Sequence, residues 1–149
     1  MSWLLSIASR AWIAIICALV TAQCAAAAPF SQVIVVGSIA GDRGKEKNPV
    51  YDSSKAGLEV LCQGYRQRFA HRNTRLLFVK PGNVSTRMTK DKAKDWTFSR
   101  PERIASDVYR AMDRGGGVIY SPRIWGAVMF VIRKLPETLF VKMGFGRAN

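Results

Sequence analysis

Tyr51 and Lys55 stand four positions apart, a spacing that places both on one face of a helix. A free phenol keeps its proton until about pH 10, and an ammonium beside it stabilises the phenolate. A phenol in that setting can give a proton to a substrate oxygen or take one from it. Ser38 precedes the tyrosine with twelve residues between, and its hydroxyl could hydrogen-bond the same oxygen. Taken alone, the Tyr51–Lys55 pair reads better as an exposed helix pair. The elements around it give it weight.

Those elements alternate. Ser31–Ser38 (SQVIVVGS) is apolar and β-branched, as a parallel strand buried on both faces would be, and it puts Ser38 at a strand's carboxyl end, where open α/β sheets bind ligands. A polar loop, Ile39–Lys47, follows. Asn48 is placed to N-cap a helix with Pro49 at its first position. From Pro49 to about Ala70, Ser54, Leu58, Leu61, Tyr65 and Phe69 recur on one face of a helical period. Arg75–Lys80 is a second buried strand that stops at Pro81-Gly82. Residues 87–98 are polar and aperiodic, so they read as a loop. Ser99-Arg100-Pro101-Glu102 fits a capping box opening a helix that runs to about Arg114. Gly115–Gly117 breaks that helix, and Val118–Ser121 is a third strand. This order predicts an α/β protein with a parallel sheet and helices on its faces.

The pattern Ser38-x12-Tyr51-x3-Lys55, followed by Pro81-Gly82-Asn83-Val84-Ser85-Thr86, resembles the short-chain dehydrogenase/reductase family over about Ser31–Ser121. Gly41 and Ala56-Gly57 fit the family's habit as well. The resemblance implies a partial Rossmann-type, doubly wound parallel sheet and an NAD(P)-dependent oxidoreductase that interconverts a ketone and a secondary alcohol. It implies that Ser38 orients the substrate oxygen, that Tyr51 is the general acid or base, and that Lys55 supports Tyr51 and binds the nicotinamide ribose. Tyr51, Pro81, Gly82, Val84 and Thr86 are then cofactor contacts beside Lys55, with NAD or NADP as the cofactor.

The chain departs from the family's pattern upstream. No glycine precedes Gly37 and no asparagine precedes Asn48. The glycine-rich turn that holds a pyrophosphate at a helix N-terminus and the usual fourth catalytic residue are therefore both wanting. The expectation is a truncated domain over residues 1–149, comprising an apolar helix (1–30), a catalytic core (31–121) and an apolar, basic tail (122–149), which is inactive alone. A non-catalytic, dimerising descendant of the family is the alternative.

Charge is unevenly placed. The net charge is +13, and Arg10 is the only Lys, Arg, Asp or Glu before Asp42. Residues 11–28 are uncharged and alanine-rich, so they read as a core helix ended by Pro29 or as a targeting or membrane segment; the core helix is preferred, in a cytoplasmic protein. A basic body suits an anionic lipid surface or a phosphorylated substrate, whereas few aromatics lie among the basic residues and no nucleic-acid motif occurs. The thiols Cys17, Cys24 and Cys62 form no CxxC pair, and His71 is the single histidine, so no metal spacing arises. In the tail, Ile124–Ile132 reads as an apolar helix with Arg133-Lys134 at its end and Pro136 breaking it, followed by a second apolar piece, Leu139–Met143. Aromatic and basic residues together suit an interfacial helix; a pocket lid or dimer contact is the other reading. The tail loosely resembles those of family members acting on lipid-linked sugars. The partners expected are a small-molecule or lipid-linked carbonyl or alcohol substrate, a peripheral anionic membrane surface, and a second copy in a homo-oligomer, with no nucleic acid.

Overall fold

A computed structural model describes residues 31–86, 89, 97–115 and 117–144. The expected helix over residues 11–28 lies outside them, as do Cys17 and Cys24.

Three strands form a parallel sheet in the order β1 (Ser31–Val36), β2 (Thr74–Pro81), β5 (Gly117–Ser121). Val36 stands opposite Val79, and Lys80 opposite Tyr120. The helix α1 (Pro49–Phe69) links β1 to β2, and α2 (Pro101–Asp113) leads into β5. This is the α/β arrangement with a parallel sheet that the sequence predicts.

Alternation along β2 explains the layering. Leu76 and Phe78 turn toward α1, where they pack with Val33, Val35, Leu58, Cys62 and Phe69. Leu77 and Val79 face the other way and meet Ala111, Ile104 and Val108 of α2. Period-two alternation in a strand covered on both sides produces such a pair of cores. The helical face read from α1 holds: Leu58 and Phe69 are buried, and Leu61 and Tyr65 pack against the cluster. Cys62 joins them as a free thiol, and burial pushes its pKa up to about 11, a value at which it stays an unreactive thiol near neutrality.

Several local expectations are corrected. Among the described residues β1 is covered on one face: Val33 and Val35 are buried, whereas Ile34 and Val36 are exposed. β1 lies at the end of the strand order, and among the described residues α1 packs on one side of it and α2 lies under β2 and β5. The strand stops at Val36, because Ser38 leaves the sheet to cap a 3-10 turn, Ile39–Asp42. β2 runs one residue further than expected and includes Pro81. Gly82 donates its N–H to Ser121 on the β5 side, so the proline nitrogen points toward β1, which has already ended. The capping box does not form. Arg100 is the N-cap of α2 without a side-chain bond, and Ser99 instead belongs to β4 (Phe98–Ser99), which pairs with β3 (Asn83–Val84) in a two-stranded sheet. Asn48 precedes α1 but makes no side-chain cap bond. Gly115 and Gly117 take positive φ values of 97° and 110°, the backbone turn that glycine permits at no steric cost.

The tail folds into α3 (Ile124–Lys134) and α4 (Glu137–Lys142), separated at Pro136. Arg43 fixes this tail to the 3-10 turn. Its Nη1 donates to the carbonyls of Ile132, at 3.1 Å, and Leu135, at 2.7 Å, so a guanidinium satisfies open carbonyls at a helix C-terminus. Its other face lies 4.5 Å from the centre of the Phe140 ring.

Candidate active site

Parallel pairing brings the carboxyl ends of β1 and β2 side by side, since the N–H of Gly37 bonds the carbonyl of Val79 at 2.8 Å. Gly37 has no room for a side chain, because a Cβ there would run into the Phe78 ring. Ser38 follows in extended backbone, and its Oγ accepts the N–H of Ala40 at 3.1 Å. That bond fixes the oxygen and leaves the hydroxyl proton available for donation.

Tyr51 and Lys55 occupy the first turns of α1, beneath the same strand end. The Lys55 ammonium lies 5.6 Å from the centre of the Tyr51 ring and donates to the Val36 carbonyl at 3.4 Å. Burial lowers the Lys55 pKa below the ordinary lysine value. The 3-10 turn lies flush on α1 at this point: a Cβ on Gly41 would stand 2.8 Å from the backbone of Lys55 and Ala56. Lys55 thus stands at the strand end that leads into Ser38, with the Tyr51 ring beside it, and its one described hydrogen bond is long.

Pro81 and Gly82 lie at the adjoining end of β2. The Trp125 indole packs against Gly82, where a Cβ would collide with it. Trp125 therefore faces the turn rather than standing free on the surface, as an interfacial helix would hold it. Val84 is half-buried in β3 and Thr86 is exposed beyond it. The Thr86 N–H is taken by Thr89 Oγ1 at 2.9 Å.

The sequence reading missed a buried charge cluster directly below these residues. Lys80 is 1 % exposed, and its ammonium donates to Asp42 at 2.5 Å and contacts Glu59 at 2.7 Å. It also reaches the Tyr120 hydroxyl at 3.4 Å, which in turn donates to the other Asp42 oxygen at 3.0 Å. Signals for it exist in the chain. Glu59 continues the Tyr51–Lys55 spacing by another four residues, and Lys80 directly follows the apolar run Leu76–Val79 near the carboxyl end of its strand. Asp52, next to Tyr51, was missed too. It is buried, accepts the Lys45 N–H at 2.8 Å and pairs with the Lys45 ammonium at 3.5 Å. Burial raises its pKa, with the Lys45 charge opposing.

Burial works against the charge on Lys80, but its bonds to Asp42 and Glu59 and their charges prevail, so its pKa rises above the ordinary lysine value. Burial, with the Asp42 charge, raises that of Tyr120. A lysine whose folded pKa is raised contributes stability that is complete below its unfolded value, near ~10.4, and is lost as pH rises through the folded value. A phenol held neutral has the same sign, since the unfolded state loses its proton first. Urea unfolding followed from pH 7 upward should therefore show a midpoint that declines above roughly pH 10, and the decline should be shallower in Tyr120→Phe.

An open parallel sheet with polar groups gathered at its strand ends defines an α/β protein of the ligand-binding type. The chain belongs to the short-chain dehydrogenase family: the family model described as short chain dehydrogenase matches residues 13–96, more than half of its length. It is 32% identical over 111 residues to an uncharacterised oxidoreductase of Mycobacterium tuberculosis, a match covering 74% of this chain and 45% of the relative. It is 31% identical over 107 residues to carbonyl reductase family member 4 of Xenopus laevis, covering 66% of this chain and 42% of that protein. The chain thus spans less than half the length of these curated relatives. Among solved structures it is similar to a short-chain dehydrogenase of Burkholderia cenocepacia in complex with NADP, with a TM-score of 0.55 and 22% identity, covering 60% of this chain and 38% of that one. A short chain dehydrogenase/reductase family protein matches with a TM-score of 0.57 and 25% identity, covering 66% and 47%.

Proposed function

We propose that this chain carries the acid/base centre of an NAD(P)-dependent oxidoreductase that interconverts a ketone and a secondary alcohol. The observation that carries this reading is the Lys55 ammonium, lodged between the Val36 carbonyl and the Tyr51 ring at the strand end that holds Ser38. The donor set fits a nicotinamide ribose: an ammonium with one long protein hydrogen bond has N–H groups left for vicinal hydroxyls. Lys55 and Tyr51 would hold the ribose, with Pro81, Gly82, Val84 and Thr86 along the nicotinamide. The bound cofactor supplies or accepts hydride.

The rest is the work of the chain's own side chains. Ser38 donates a hydrogen bond to the substrate oxygen and orients it. Tyr51 gives its proton to that oxygen in reduction and takes it back in oxidation. Lys55 stabilises the phenolate left behind. Burial, which favours the neutral amine of Lys55, makes its own proton easier to release.

By itself the 149-residue chain is expected to be inactive, since no glycine precedes Gly37 to form a tight pyrophosphate turn. The test is a hybrid in which residues of this chain replace the matching segment of the mycobacterial oxidoreductase, assayed with NADH and NADPH against a panel of ketones. Turnover by the hybrid and none by the isolated chain is the expected result. Clear NAD(P)H-dependent turnover by the isolated chain would overturn the second half of the reading, and a hybrid indifferent to Tyr51 would overturn the first.

A second reading, contact with an anionic membrane surface, is favoured by the exposed apolar side chains of the tail. Ile124, Phe130, Val131, Leu139, Val141 and Met143 are exposed there, beside the exposed Arg133, Lys134 and Lys142. Among the described residues no helix is long and apolar enough to cross a membrane, so the contact would be peripheral. Co-sedimentation with phosphatidylserine vesicles should fall severalfold in Phe130→Ala/Val131→Ser. Equal binding by the variant and the wild type, or no binding by either, ends this reading.

A further inference from the structure

The buried charge cluster joins the 3-10 turn after Ser38, the helix that carries Tyr51 and Lys55, and the strand that ends in Pro81. Asp42 closes the 3-10 turn that Ser38 caps. Glu59 lies one helical turn beyond Lys55, on the face that Tyr51 and Lys55 share. Lys80 immediately precedes Pro81-Gly82. Tyr120 stands opposite Lys80 in β5 and precedes Ser121, whose carbonyl receives the Gly82 N–H at 3.0 Å. A single ammonium has three donors. Here its partners lie at 2.5, 2.7 and 3.4 Å, one on each of three different elements.

Stability alone is a poor account of this arrangement. A buried ion pair is often no better for stability than well-packed apolar residues of similar volume, because both charges leave water. What the ions add is direction: an ammonium among oxygens accepts one geometry, where an apolar contact tolerates several. We infer that Lys80 is a positioning residue, whose ammonium, shared by Asp42, Glu59 and Tyr120, sets where Ser38, the Tyr51–Lys55 pair and the Pro81-Gly82 turn stand relative to one another. The inference rests on the reading of those residues as one site. Lys80 touches no substrate in it and acts only through the backbone segments that it ties together.

The experiment uses the full 149-residue chain and needs no turnover. Amide signals of Ala40, Lys55 and Gly82 in 15N-resolved NMR spectra report the three tied segments, and those of Leu76 and Leu77 report the sheet. In Asp42→Leu/Glu59→Leu/Lys80→Met/Tyr120→Phe the charges are replaced by apolar groups of similar size. The Tm should return to within about 5 °C of the wild-type value, with Leu76 and Leu77 unchanged. The Ala40, Lys55 and Gly82 signals should nevertheless shift and broaden. Lys80→Arg, which keeps the charge and the donors, should hold all three signals closer to their wild-type positions. Glu59→Gln, a milder variant that keeps an oxygen for Lys80, should displace Lys55 and Gly82. Wild-type signals at all three reporters in the apolar variant, or in Glu59→Gln should the apolar variant not fold, overturn the inference and leave Lys80 as a stabilising residue. Failure of the oxidoreductase reading would appear separately, in the hybrid's turnover, and would not alter these spectra.

Discussion

Phe78→Ala is expected to destabilise the chain by about 3–5 kcal/mol, the usual cost of deleting a buried aromatic ring. Phe78 is 0 % exposed and stands in the middle strand, packed with residues of β1 and α1. The ring also fills the space over Gly37, where no Cβ would fit. Its loss therefore opens a cavity bounded by backbone, which cannot collapse to fill it. Native domains are stable by roughly 5–15 kcal/mol, so the variant would forfeit a large share of the total. Urea unfolding by circular dichroism measures this as a fall in midpoint at unchanged slope. Val60→Ala, at an exposed position of α1, is the control and should change stability by no more than about 0.5 kcal/mol. A loss below about 1 kcal/mol in Phe78→Ala would show that the sheet core is not packed as described.

Most of the architecture was legible in the chain because the signals for it are periodic. The spacing of Leu58, Leu61, Tyr65 and Phe69 declares a helix face, and the run in Thr74–Pro81 declares a strand buried on both sides. Misreadings occurred where a tertiary neighbour, not the local pattern, decides. The sequence of β1 is as apolar as that of β2, yet its Ile34 and Val36 are exposed, since burial depends on what lies across the sheet. Ser99 has the residue type of an N-cap, but pairing with Val84 draws it into β4, and a strand bond competes directly with a cap.

The candidate site was legible to a similar degree. Ser38, Tyr51 and Lys55 carry side chains whose chemistry announces itself at a fixed spacing. Lys80, Asp42 and Glu59 do not, since one of each type at scattered positions is ordinarily solvated surface. Only the fold, by bringing a 3-10 turn, a helix and two strands to one point, turns them into a cluster. The interfacial reading of the tail does not extend to Trp125. Its type and its basic neighbours suit an interface, but a glycine offers it a flat backbone surface to cover.

Tyr51→Phe in the hybrid enzyme is expected to lower kcat by about 10²–10⁴-fold, the range over which a positioned acid or base contributes. The substitution is narrow. The ring stays, so its contact with the Lys55 ammonium at 5.6 Å remains, and stability should change by less than about 1 kcal/mol. Only the O–H is lost, and with it the group proposed to give and take the proton of a substrate oxygen. Because Lys55, Pro81 and Gly82 are untouched, the dissociation constant for NADPH, read from its fluorescence, should move little. KM for the ketone should also stay near its wild-type value, since Ser38, in its proposed role, still orients the oxygen. A fall in kcat with steady KM marks an interaction made only in the transition state. Loss of cofactor binding in place of turnover would instead make holding the ribose, not proton transfer, the main role of Tyr51. If kcat stays within tenfold of wild type, the proton comes from elsewhere, and the pairing of Tyr51 with Lys55 is a helix contact without chemistry.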